Sequence, residues 1–337
     1  MMSKYASAKI RLISFFAMWA VVSWHVGADG GTLKRYLCPL LCFWSVPWFF
    51  FASGVFFVYS IQKRTWFQFL VCKLRSLLIP YVIWCLVGAG YKALVSENIS
   101  FDVCSIFALD RLHPIGDGPM WYIRALMIIF TISIPIWKLT ESYLKKQLTQ
   151  RFFFAALVIL ALNVSRFIGV DLHFGPGSSV VYFLVGVAMS GTVTKFPMIT
   201  DKRSKIMVGC VLMIVALGVR SAWFGMGYDY YRMGGSLIAN ASVVFFIAAL
   251  LVLSDFGTVV EWLHKFFGRV AEYNTFVYMV HNIVLWHIVA IVLSSGWSPD
   301  VVYVIFSLTA PFLFIGIGSV VRGAFPRVYS VIIGNRG

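Results

Sequence analysis

His25 closes the first apolar run of the chain, Ala20-Val21-Val22-Ser23-Trp24-His25. An ionisable group in lipid costs roughly 2.5–3.5 kcal/mol on insertion scales, so its presence there asks for a use. Imidazole titrates near pH 6.5 and can take the proton of a hydroxyl, the task of a general base. The competing reading is a ring satisfied by helix packing. Arg11 precedes His25 by fourteen residues, about 21 Å of helical rise, and the two fall within about 40° of one face. His281 and His287 stand in a later apolar run, with Tyr278 three residues before His281 on the same face. Counted from an inner end at 274, His287 lies roughly 20 Å deep, level with His25, and His281 is shallower. No His-Glu-x-x-His pattern or carboxylate–histidine cluster accompanies them, which argues against a metal.

Arg124, Arg166 and Arg220 fall near the outer ends of other apolar runs. Snorkelling to the outer headgroups is the expectation for each; with His113 and His173 they could instead line a basic pocket for a phosphorylated or acidic acceptor. A second group of cations, Lys63-Arg64 and Lys73-Leu74-Arg75, borders another apolar run. It reads either as an inside-positive loop or as a phosphate-binding surface for a nucleotide-containing donor such as a coenzyme A thioester. The six cysteines show no Cys-x-x-Cys pair, and most lie in apolar runs; a Cys38–Cys104 bridge is conceivable.

The elements that must hold these groups follow from composition. The 337 residues are 60% hydrophobic and 12% charged, with mean hydropathy +0.86, against roughly 45–50% apolar and 25% charged in soluble domains. That profile specifies an all-α polytopic membrane protein. Ten helices are predicted near 11–27, 38–60, 77–95, 119–137, 152–170, 178–194, 206–224, 236–254, 274–294 and 301–321. The second carries Pro47 and Gly54, where a kink or re-entrant break is expected. The chain reads as one membrane-integral domain over 1–337, its core at about 8–321, and its first apolar run lacks a signal-peptide cleavage site. The net charge of +15 reflects topology rather than nucleic-acid binding, because the cations sit in loops. With both termini cytoplasmic, about 20 Lys and Arg fall inside and about six outside.

Several short patterns, in order, resemble one family, acyltransferase family 3, integral membrane O-acyltransferases that modify bacterial surface sugars. They are the run ending in His25, Val46-Pro47-Trp48-Phe49-Phe50-Phe51-Ala52-Ser53-Gly54, Lys73-Leu74-Arg75 with Pro80-Tyr81, Gly118-Pro119-Met120-Trp121-Tyr122, Tyr182-Phe183-Leu184-Val185-Gly186 and Tyr278-Met279-Val280-His281. The likeness covers about residues 8–320. The family often carries an arginine where this chain has Ser14; Arg11, one turn earlier, is the candidate substitute.

The resemblance implies acyl transfer, acetyl by default, from cytoplasmic acyl-CoA (acetyl-CoA) to a hydroxyl of a cell-surface saccharide or its lipid-linked precursor. His25 would be the catalytic base, and Arg11, Lys73 and Arg75 would hold the donor phosphates. Ser53, Tyr81, Trp121, Tyr122, Arg124, Tyr278 and His281 would line the cavity, with Ser53-Gly54 at a structural break rather than a nucleophile. No bound cofactor or metal is implied; the location would be the bacterial inner membrane. The rival reading is a transporter or flippase of a lipid-linked saccharide, against which stands the lack of two matched halves with broken helices.

Overall fold

The computed structural model describes residues 4–95, 102–109, 113–114, 118–144, 147–167, 178–193, 201–225, 237–254 and 258–334. Every regular element among them is helical. Helix α1 (Lys4–Trp24) has neither proline nor glycine. It runs between two apolar clusters, with Ile13, Ala17 and Val21 in one and Phe15, Met18 and Val22 in the other. A helix apolar on opposite sides is an interior helix, and α1 is the one on which the molecule is assembled.

The predicted second helix is two helices, α2 (Thr32–Leu41) and α3 (Ser45–Ile61). The break falls at residues 42–44, not at Pro47 or Gly54. Pro47 is the third residue of α3, in the first turn, where an absent N–H costs little, so it starts a helix rather than kinking one. Side chains take up carbonyls at the break: Trp44 Nε1 donates to Leu41 O (2.8 Å) and Ser45 Oγ to Cys42 O (2.6 Å).

Gly54 acts elsewhere. A Cβ on it would lie 2.0 Å from Phe183 O, and a Cβ on Gly186 would lie 2.0 Å from Phe51 O. These two glycines let α3 and α9 (Ser178–Val193) cross backbone to backbone, as small residues do where membrane helices touch. Around the crossing, Phe57 meets the rings of Phe69, Trp137 and Phe183, each at a centroid distance of 5.6 Å.

Helix α4 (Trp66–Lys73) passes through a π-helical turn, Leu74–Leu78, into α5 (Ile79–Val95). Pro80 has no N–H for the Ser76 carbonyl one turn back, and the widened turn absorbs that mismatch. Gly334 packs against the same carbonyl so closely that a Cβ there would sit 2.3 Å from it.

After α6 (Val103–Ile106), α7 (Trp121–Tyr143), α8 (Gln147–Phe167), α10 (Lys202–Gly225) and α11 (Leu237–Leu253) comes a helix the sequence reading omitted, α12 (Thr258–Val270). Its charges recur every few residues and break the apolar run. It lies along α1, with Phe267 and Phe15 at 4.7 Å. Helices α13 (Asn274–Ser294), α14 (Pro299–Ala324) and α15 (Pro326–Ile332) complete the chain.

Among the described residues, seven helical segments are long and apolar enough to cross a membrane, and three shorter apolar helices lie at Thr149–Ala161, Ser179–Val193 and Leu237–Leu253. All six cysteines are free. The conceivable Cys38–Cys104 bridge is absent: Cys38 is buried within the apolar core, whereas Cys104 is exposed.

Candidate active site

Helix α1 stops at Trp24 and leaves His25 at its end, half-buried, with Nδ1 2.8 Å from Val21 O. A carbonyl oxygen can only accept, so Nδ1 carries the hydrogen and Nε2 is the lone-pair end of the ring. His281 on α13 repeats the arrangement. Its Nδ1 donates to Tyr278 O (2.7 Å) and Val277 O (3.1 Å), and its Nε2 is buried with no hydrogen-bond partner. The two imidazoles meet at a centroid distance of 4.9 Å and an interplanar angle of 70°.

The depth count therefore needs correction, because His281 rather than His287 lies level with His25. Helix α13 begins at Asn274, as expected, so the error lies in comparing depth by rise along two different helices, which does not fix the level of one against the other.

From this pair a chain of side chains leads across three more elements. Tyr278 lies 5.9 Å from His281, centroid to centroid, and 5.6 Å from Tyr122 on α7. The Tyr122 hydroxyl is 3.4 Å from Ser53 Oγ on α3, and its ring packs edge-on against Phe50 at 4.8 Å. The Tyr278 hydroxyl donates to Pro119 O in the turn Gly118–Met120, which leads directly into α7. That bond fixes α7 against α13, so the Pro-x-Trp and Tyr-x-x-His patterns are two halves of one contact. Trp121 sits at the edge of the group, 6.2 Å from Phe50 and 6.4 Å from His113.

His25 opens into a cavity of about 700 Å³. Its wall is the segment after α1 and the start of α2, including Asp29, Lys34, Arg35 and Cys38, with Trp286 of α13 opposite. Lys34 Nζ pairs with Asp29 at 2.5 Å on this wall. Sequence reading names none of the five as a site residue; Cys38 enters there only as a conceivable disulfide partner and the charged three only through topology.

The other predicted site residues lie apart from this cavity. Arg11 is exposed on α1. Ser14, at the position where the resemblance expects an arginine, accepts a hydrogen bond from the indole of the fully buried Trp48 (2.9 Å). Lys73 Nζ lies 4.7 Å from the Phe130 ring centre and 5.3 Å from that of Phe69, while Arg75 is exposed. Lys9, counted with the loop cations, is fully buried.

Arg124 and Arg220 do not snorkel; they are 8% and 2% exposed. Arg220 Nε donates to Pro39 O (3.3 Å) and its guanidinium lies 5.2 Å from the Phe43 ring centre. Arg124 interacts with the hydroxyl of Tyr81, which itself donates to Phe107 O (2.6 Å). Arg220 is held by a carbonyl oxygen and an aromatic face and Arg124 by a phenol oxygen, which is why neither reaches for a headgroup. The side chain of Arg166 and all of His173 lie outside the described residues.

Comparison with known proteins places the chain in context. A family model described as an acyltransferase domain matches residues 8–320. The chain is 23% identical to the protein of Staphylococcus aureus strain MRSA252 named "Probable poly-beta-1,6-N-acetyl-D-glucosamine export protein", over 331 residues that cover 93% of this chain and 89% of the relative. The protein of the same name from strain Mu50 is also 23% identical, over 334 residues and with the same coverage. No solved structure matches.

Proposed function

Since the chain belongs to the acyltransferase domain family, we propose that it is a multi-pass membrane O-acyltransferase that moves an acyl group, acetyl by default, from cytoplasmic acyl-CoA to a hydroxyl of a saccharide. The observation that carries this reading is the His25–His281 pair, each ring anchored through Nδ1 to its own helix, with His25 lining an open cavity and His281 buried behind it. The seven long and three shorter apolar helices cross the bacterial inner membrane as ten spans, with both termini cytoplasmic.

The acceptor hydroxyl enters the cavity walled by Asp29 and Lys34. His25 Nε2 takes its proton as the oxygen attacks the thioester carbonyl. The C–S bond breaks, the ester forms on the sugar, and the departing thiolate takes the proton back from His25. Two protein features serve this step. The Nδ1–H···O bond to Val21 holds the lone pair of Nε2 outward, and His281 sets a second acceptor nitrogen beside the ring that becomes charged. Donor phosphates meet the exposed Arg11 and Arg75, with Lys73 between aromatic faces as their neighbour.

The relatives' names mention poly-β-1,6-N-acetyl-D-glucosamine, which supports a polymer of that kind as the acceptor. They also favour a second reading, export of such a saccharide without chemistry. Proteoliposomes given labelled acetyl-CoA and membrane glycan separate the two. Label on the glycan supports the transferase; glycan crossing the bilayer without label supports the exporter.

A further inference from the structure

A second cavity, of about 340 Å³, shares Trp286 with the cavity at His25. Trp286 walls both. Its indole lies on the backbone of Gly27, two residues after His25, where a Cβ would come within 3.1 Å of Cε3. The second cavity is otherwise lined by Tyr91 and Lys92 of α5 and by Asn282 and His287 of α13. Tyr91 packs edge-on to His287 at 5.0 Å, and His287 Nδ1 is buried with no hydrogen-bond partner.

These groups select a chemistry. A hydrocarbon chain would leave the buried His287 Nδ1 without a partner and would cover the half-buried Lys92 ammonium without answering it. A simple anion would accept from Lys92 and the Asn282 amide N–H but make no use of two aromatic walls. A pyranose ring answers all of them. Its hydroxyls both donate and accept, matching Lys92, Asn282 and His287, while its C–H faces lie against Tyr91 and Trp286. The volume is at the small end of the roughly 300–1,000 Å³ of ligand sites, enough for one sugar unit.

We propose that this second cavity is a saccharide subsite that seats the sugar unit next to the one presented to His25, with Trp286 as the wall common to both units. It rests on the saccharide acceptor proposed above and extends it to an oligosaccharide. Binding is measured without donor, by calorimetric titration of the full chain in detergent with N-acetylglucosamine and with its β-1,6-linked trisaccharide. The trisaccharide binds at least tenfold more tightly. Lys92→Gln, and independently His287→Phe, which keeps the ring against Tyr91, each remove most of that advantage. Equal affinity for the two probes, no binding of either, or variants that retain the full advantage would overturn the subsite. Transfer of label from acetyl-CoA to membrane glycan is read on the same preparations. Transfer without a trisaccharide advantage sinks the subsite alone; the advantage without transfer sinks the transferase reading alone.

Discussion

The reciprocal glycine crossing makes a quantitative prediction. In Gly54→Ala the new methyl would lie 2.0 Å from Phe183 O and 3.0 Å from Val187 N. Ordinary contact begins near 3.4 Å, so α3 and α9 must separate by about 1.4 Å, or one of them must bend. Both atoms met belong to backbone, which cannot rotate away as a side chain does. Overpacking of this kind costs about 1–3 kcal/mol. Gly90 on α5 provides the control, because a Cβ there meets nothing within 4 Å. At that open helical position alanine stabilises by about 0.5–1 kcal/mol. The helix-propensity gain is common to both helical positions and cancels, so the two substitutions, chemically identical, differ by the overpacking cost, about 1–3 kcal/mol in unfolding free energy. Unfolding of each purified variant in graded detergent denaturant, followed by tryptophan fluorescence, reads the difference. Because Ser53 precedes Gly54, Gly54→Ala also pulls the Ser53–Tyr122 contact apart and slows acyl transfer. Equal stability of the two variants would refute the crossing.

Further outcomes follow from single contacts. Tyr278→Phe loses only the hydroxyl that donates to Pro119 O; it lowers stability by about 0.5–1.5 kcal/mol and slows transfer less than loss of His25, as paired unfolding and transfer assays will show. Arg220→Ala abandons the Pro39 carbonyl and the Phe43 face and leaves a cavity, costing about 2–4 kcal/mol. Arg327→Ala, at an exposed position, stays within about 0.5 kcal/mol; similar unfolding curves for these two would show that Arg220 is solvated.

The membrane class and most helices were legible because an apolar run near the length of a bilayer has no other use, and Val21 to His25 could be placed without knowing any neighbour. What the sequence hid were relations between runs. Gly54 could be read as a close backbone approach, but its partner Gly186 lies 132 residues further along the chain, and no local pattern joins them. His281 reads as too shallow because rise along one helix does not fix its level against another; the ring contact with His25 does. Arg124 and Arg220 resembled snorkelling residues because burial partners such as Pro39 O and the Tyr81 hydroxyl are set by tertiary packing. Pro47 was read as a kink, yet a proline near a helix start and one inside a helix look the same until the break at 42–44 is seen.

The central claim is that His25 Nε2 accepts the proton of the sugar hydroxyl. Its most direct test is the single-turnover rate of label transfer from acetyl-CoA to glycan by purified His25→Gln, with folding verified by its unfolding curve. General-base catalysis contributes about 10²–10⁴-fold, so a folded variant slowed by that factor is the predicted result. A folded variant that transfers label at a rate near that of the unaltered protein would contradict it.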